Sequence, residues 1–508
     1  MIAGQTQRAA PTGGRVVKWV LVGVTTWLLG IVTAGAAVYP LEISNIRPGL
    51  SPQNRLSRAY PGLEYNIRVA AIGGAYPYTY TLTGAPAGMT IDARTGTIAW
   101  ANPRADAMPT VTVTDTEGAS VSATWRIAVG SSGFRFVDAR GGKASAANGC
   151  NAACGTGTAD APWQSLADVQ KAGAPGEIVY FRSGLYQVYD TVPSAPGDPW
   201  ERAEFRGDRK PTVWLAYPGE MPTIDFGYRP GQNGRLIRFG GDDVYIDGFE
   251  GVNAHYIAFQ FENGRGGVGP TFRRLRMHRL GPGVDGGNCA FIMTMTGPLS
   301  RYMVVQDSEF FDVTGEAVTI KIYAQEKLLI EDTVHADAPV AIELKYDAPR
   351  FTVRSNRFRD ISGVAIGGNM HEGRGGTKTS GEILFNLARA QVALNLNQDG
   401  QARQIDVYRN TFIGQVMISN TDAEDGPFLL YNNVIANGGA NGGPRAARLT
   451  FYQNVDGSRV TARDNLAGDT RIVDAEGNLI GANAQQVGAR GHQLPGRGRA
   501  AGPAPPVP

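Results

Sequence analysis

Cysteine occurs three times and histidine five times in 508 residues, and lysine only eight times against 40 arginines. Cys150 and Cys154 have no further Cys or His nearby to complete a metal site and the histidines show no paired ligand spacing, so the sequence argues against zinc, and no acidic cluster asks for calcium. No cofactor is implied. Charged residues reach only 19% and the net charge is +2. No basic stripe stands out, which argues against a nucleic-acid partner. What the chain has instead is glycine, 67 of 508 residues, or about 13% against a background near 7%. It lacks the three-residue period of collagen and is mixed with too much Val, Ile, Phe and Tyr for a disordered chain. An all-β, turn-rich protein follows.

The only long uncharged apolar stretch is Trp19–Tyr39, preceded by Arg8, Arg15 and Lys18 with no acid in residues 1–36. Basic residues, an apolar run and the small-residue site Ala34-Gly35-Ala36 describe an export segment. Two fates are open: cleavage as a signal peptide, or retention as a membrane anchor. Export places the remaining chain in the periplasm, on the cell surface or outside the cell, with the membrane involved only through this segment. Removing residues 1–36 leaves 45 basic against 46 acidic residues, a near-neutral body. Cys150 and Cys154, in a glycine-rich loop, are spaced to close a small disulfide in an oxidising compartment, whereas Cys289 reads as a buried thiol.

Residues 44–130 form a composition unit in which short alternating runs, among them Tyr65–Val69, Tyr78–Leu82 and Val111–Thr114, are separated by Gly, Pro and Asp. The stretch Tyr80–Asp92, with Pro86-Ala87-Gly88, then Thr95-Gly96 and the closing Ala123–Ile127, resembles bacterial Ig-like or cadherin-like modules. That resemblance implies a β-sandwich with a spacer or adhesive role. Gly130-Ser131-Ser132-Gly133 reads as a linker. The segment from Phe134 through Pro162-Trp163-Gln164-Ser165-Leu166 to Gly184-Leu185-Tyr186 resembles the entry to a right-handed parallel β-helix of the pectin-lyase-like class, in which a short helix caps the open end of the coil.

Internal repetition between about 240 and 470 is the strongest signal in the chain. Ser308, Thr333, Asn356, Asn386, Asn410 and Asn433 mark one position of the repeat, separated by 25, 23, 30, 24 and 23 residues. One β-helix coil has that length, and Asn recurring at its corner predicts a structural side-chain ladder. The reading is an all-β protein: export segment 1–36, Ig-like sandwich 44–130, a β-helix of about ten coils over 134–485, and a disordered tail over 488–508.

Each coil also carries a strand of the type Val318–Tyr323, Val340–Lys345, Val364–Asn369, Val392–Asn397 and Val416–Thr421, with Ile257–Glu262 upstream. Period-two alternation sends the first, third and fifth residues inward. Stacking then predicts one outward row of Lys321, Glu343, Asn395 and Ser419, and another of Tyr323, Lys345, Asn369, Asn397 and Thr421. Two of the eight lysines fall on this face beside Glu343, flanked by His371, Glu372, Arg374 and Asp399. Lysine, carboxylate and amides suit a hydroxyl-rich polymer, either an extracellular polysaccharide or a cell-envelope glycan. The β-helix resemblance, to alginate and chondroitin lyases in architecture only, implies a base and an acid on nearby coils. Lys345 as base and Arg374 as acid are the nearest analogues, with Lys321 an alternative base and Glu343, Asn369, His371, Asn395, Asn397 and Tyr323 as substrate contacts. A hydrolase would instead need two facing carboxylates. Asp242, Asp243, Asp285, Asp312 and Glu316 offer the residue type without a spacing that selects a pair. A non-catalytic surface or adhesion protein is the rival class.

Overall fold

The computed structural model describes residues 39–481 apart from 51–53, 175, 194–201, 207–211, 228–234, 241, 262–267, 282–289, 295–296, 316, 370–377, 398–401, 420–425, 437–448, 453–456, 464, 468–471 and 474–478. The export segment, Cys289 and the tail from 488 lie outside the described residues. Among the described residues, no helix is long and apolar enough to cross a membrane.

The N-terminal unit is a two-layer β-sandwich. One layer orders Tyr65–Arg68, Thr97–Trp100 and Met89–Ile91, and the other orders Thr79–Thr83, Thr110–Thr114 and Ser120–Thr124, all antiparallel. Alternation dictates which side each residue takes: Val111 and Val113 are fully buried, while the intervening threonines point out. Those hydroxyls pair across the strands, Thr110 with Thr124 at 2.7 Å and Thr112 with Ser122 at 2.7 Å. Tyr65, Ile67, Ile98, Trp100, Trp125 and Ile127 fill the space between the layers.

From Phe134–Val137 onward the chain winds as a parallel β-helix. A typical coil makes three strands, for example Val304–Gln306, Glu309–Val313 and Val318–Tyr323. The first face stacks twelve parallel strands, ending at Val460–Arg463. The second and third faces merge into a 19-stranded sheet in which every pairing is parallel except the last, Ile472–Val473 with Leu479–Gly481. The helix Leu166–Ala172 carries a capping box between Ser165 and Asp168. Trp163, Leu166 and Val169 join the lumen core and cap its open end. Cys150 and Cys154 are bonded as a disulfide, with Cα atoms 5.6 Å apart.

The corner between the first and second faces has one repeated construction. A residue in the left-handed region makes the turn (Asp307, Asp332, Ser355, Phe385, Arg409 and Asn432), and the ladder residue follows it. Each amide oxygen accepts the backbone N–H of the ladder residue one coil earlier: Asn386 Oδ1 from Asn356 at 3.0 Å, Asn410 from Asn386 at 2.9 Å, Asn433 from Asn410 at 3.0 Å. Each Nδ2 donates to a carbonyl of the preceding coil, such as Ile383 O at 2.8 Å from Asn410. The ladder runs one coil beyond the predicted set, to Asn465. Below it, His335 is stacked between Phe310 and Phe358 and bonded to the hydroxyls of Thr319 and Thr333. Burial pushes its imidazole down to about 3, which makes it a packed core residue.

Two sequence expectations need correction. The alternation on the third face slips at its start: Ala341, Ala365 and Ala393 lie in the lumen, whereas Val340, Val364 and Val392 are half-buried. The coil bends there, and the small side chain occupies the inside of the bend. The Ig-like unit is also no detached spacer. Its core is continuous with Phe134, Phe136, Ile178, Tyr180, Val213, Leu215 and Tyr245 of the first coils. Farther along the same face Arg68 pairs with Asp307 and Asp332, Arg273 Nη1 donates to Asn66 at 2.8 Å, and Tyr76 bonds Ser355 at 3.1 Å. The first face is thus covered by the N-terminal domain over many coils.

Candidate functional site

The third face carries the predicted cluster. Backbone register aligns Arg238, Gln260, Met293, Lys321, Glu343, Gly367, Asn395 and Met417 on successive strands. Lys321 and Glu343 are therefore neighbours as expected, and their Nζ–Oε2 distance is 3.0 Å. Lys345 Nζ reaches the other carboxylate oxygen at 3.5 Å, so Glu343 bridges both lysines. Tyr323 lies close enough for Lys321 Nζ to sit 5.9 Å from its ring centroid. Asn369 and Asn397 are cross-strand partners. His371 and Arg374, with Glu372 and Asp399, lie outside the described residues.

The second predicted row is altered by register shifts. An irregularity after Ile322 sets Tyr323 opposite Tyr346 and not Lys345. Another, between Val392 and Leu394, sets Ser419 opposite Asn397 while Met417 faces Asn395. Each bulge inserts a residue on one strand only, so equal counting from the Val position fails beyond it.

Although outward by register, Lys321, Tyr323, Gln260 and Met293 are all buried. Leu236, Ile257, Ala290, Met293 and Tyr323 form an apolar cluster of their own beside the lysine. Toward later coils the face opens: Glu343, Lys345 and Asn395 are half-buried. Gly367, between Glu343 and Asn395, supplies no side chain to the row; a Cβ there would stand 2.9 Å from Asn395 O and 2.8 Å from Val364 Cγ1. Glu343 and Asn395 therefore stand two strand spacings apart, about 10 Å between backbones, with the buried Gly367 between them. Asn395 Oδ1 is closed from bulk solvent and has no hydrogen-bond partner.

Of the carboxylates considered for hydrolysis, Asp243 is held by Arg47 of the Ig-like domain at 2.7 Å. Asp285 and Glu316 lie outside the described residues. The structure assembles a different carboxylate pair, Glu382 and Asp406, on adjacent strands of the first face. Both stand four residues before a ladder asparagine, a regularity that the repeat spacing already contained. Burial pushes Glu382 up to about 7, assisted by Asp406, against the opposing hydrogen bond from the Tyr408 hydroxyl at 3.2 Å and the more distant Arg354 and Arg350. Burial likewise pushes Asp406 up to about 6, opposed by Gln404. Tyr39 lies over them, donating to Gln404 O at 3.2 Å.

The folded protein therefore retains these two protons at pH values where the unfolded chain has lost them. Stability contributed by the pair is present below the ordinary carboxylate range and declines as pH rises from about 4 to about 7. Glu382→Gln, which stays neutral, flattens that slope in urea midpoints measured across the window; an unchanged slope contradicts this.

Residues 47–130 match the family described as Putative Ig domain. No curated protein matches the chain. Among solved structures, "The complex structure of XylC with xylose" is similar with TM-score 0.38 and 8% identity over 68% of this chain and 84% of that one. The catalytic domain of a GH87 alpha-1,3-glucanase in complex with tetrasaccharides has TM-score 0.34 and 9% identity over 80% and 82%. The Yersinia enterocolitica Family 28 exopolygalacturonase has TM-score 0.30 and 9% identity over 86% and 92%. All three scores lie below 0.5, and the fold rests on the chain's own strand pairing.

Proposed function

We propose that the protein is exported and that the later part of its third face binds a hydroxyl-rich polysaccharide. The observation that carries this is the row in which Glu343 with its two lysines and the amide of Asn395 flank Gly367, a position that supplies no side chain. A sugar unit placed there meets ammonium and amide donors together with carboxylate and amide acceptors, the mixture that hydroxyl groups require. Export is supported by the basic, apolar and small-residue order of residues 1–36.

Cleavage by β-elimination is the finer form of this reading. Lys345 would take the proton alpha to a uronate carboxylate, and Arg374 would protonate the leaving oxygen. Lys321 is the poorer base candidate, because its buried Nζ already donates to Glu343. Glu343 also holds Lys345 at 3.5 Å, and that contact favours the second reading, a non-catalytic binding platform, since it occupies the lysine that the lyase step would use.

Incubation with alginate, pectate, chondroitin and neutral glycans, read by affinity electrophoresis and by absorbance of unsaturated uronates, separates these readings. Lys345→Ala or Asn395→Ala weakens polymer binding about tenfold or more, the value of one charge-assisted or otherwise unpaired hydrogen bond. Product formation abolished in Lys345→Ala assigns the lyase step. Binding unchanged in both variants with every polymer overturns the site.

A further inference from the structure

A second site lies on the opposite side of the coil, where the Ig-like domain meets the first strands of the first face. A cleft of about 130 Å³ opens there, walled by Arg55 and Asn66 from the Ig-like domain and by Tyr180, Tyr217, Asp247 and Arg274 from the β-helix. We propose that this cleft binds one neutral sugar ring or a polyol of similar size. The proposal is independent of the polymer site at Gly367.

The floor of the cleft is polar and incompletely satisfied. Tyr180 is 1% exposed and its hydroxyl has no hydrogen-bond partner. The charged groups acting on that hydroxyl are Arg55, Asp247 and Glu64, all of which line the cleft. Arg55 is 2% exposed; its Nη1 donates to Arg58 O at 3.0 Å, but Nε has no partner. Two buried polar atoms left unpaired at one small opening are uncommon in native structures, where such groups find protein or solvent partners. Both residues line the cleft.

Charge decides the ligand class. Arg274 Nε holds Asp247 Oδ1 at 2.6 Å and Arg273 holds Oδ2 at 3.3 Å. Glu220 is held by Arg182 at 2.6 Å. Glu64, the third carboxylate of the lining, accepts from Asn66 Nδ2 at 3.1 Å. With an arginine or amide partner on each of the three, the ligand needs hydroxyl groups and no net charge. The lining adds Leu215, Tyr217 and Pro218, an apolar wall suited to the C–H face of a pyranose. Because its walls come from both domains, the site is complete only when the Ig-like domain is docked, so the ligand stabilises that docking by mass action.

The test uses the full chain with D-glucose, D-galactose, D-mannose, D-xylose, glycerol and D-glucuronate, read by calorimetric titration and by thermal shift. At least one neutral member is expected to bind, with D-glucuronate weaker. Tyr180→Phe, which removes only the unpartnered hydroxyl, is expected to weaken binding about tenfold while leaving the ligand-free melting temperature equal or higher. Arg274→Lys keeps the charge and serves as a second probe, with weakened binding expected. No binding by any neutral member, exclusive binding of glucuronate, or full binding by Tyr180→Phe overturns the proposal. Polymer binding through Lys345 and Asn395 is unaffected in Tyr180→Phe, so failure here is distinguishable from failure of the polymer site.

Discussion

Replacing Arg354 with leucine lowers the unfolding free energy by about 3–5 kcal/mol, the usual result of removing one member of a buried ion pair. Arg354 is 1% exposed on the first face. Its Nε donates to Glu331 Oε2 at 2.7 Å and its Nη1 to the Tyr78 hydroxyl at 3.0 Å. Tyr76 and Tyr78 present their rings 4.7 and 4.8 Å from the guanidinium carbon. Burial alone would lower the guanidinium pKa; Glu331 reverses that and raises it well above the ordinary value. Leucine fills much of the volume but leaves Glu331 buried with a charge and fewer donors. Glu331→Leu combined with Arg354→Leu therefore recovers a large part of the loss, because no unmatched charge remains. Urea unfolding of the two single variants and the double variant supplies the cycle. An Arg354→Leu loss below about 1 kcal/mol contradicts the account of the domain junction.

Asn410→Ala costs a comparable amount, about 3–6 kcal/mol, by stranding several buried groups at about 1–3 kcal/mol each. The amide accepts from the Asn386 backbone at 2.9 Å and side chain at 3.0 Å, and donates to Ile383 O at 2.8 Å and Asn433 Oδ1 at 2.9 Å. Alanine offers nothing to any of them, and the lumen side of the corner admits no bulk water. Ser308→Ala, at the equivalent position of an earlier coil, is milder, because that hydroxyl serves two backbone groups, accepting from Leu275 N at 3.1 Å and donating to Gln306 O at 2.7 Å. Thermal and urea unfolding of both variants reads the difference. Equal losses would mean that the corner does not depend on the amide ladder.

The ladder is legible in the sequence because it is a one-dimensional regularity. Residues 23 to 30 apart with the same chemistry must fall on one corner if each interval closes a coil. The Lys321–Glu343 contact is legible for the same reason, since no bulge separates their strands from the common starting valine. Tyr323 and Ser419 fall elsewhere than simple counting places them because bulges lie between them and that starting point, and a bulge leaves no mark in the hydrophobic pattern. Glu382 and Asp406 stand at equal offsets from the ladder, yet nothing in the pattern distinguishes a covered outward face from a wet one.

Repetition thus determined the coil, its corners and the stacking of neighbouring side chains, since parallel pairing couples each strand only to the next turn of the same chain. The tertiary structure decided which outward faces meet water. Arg68 reaches Asp307 across 239 positions and Arg354 reaches Tyr78 across 276. No period in the coil encodes the partner that covers it. Whether an outward carboxylate is solvated, paired or protonated follows from that cover, because burial sets the cost of its charge.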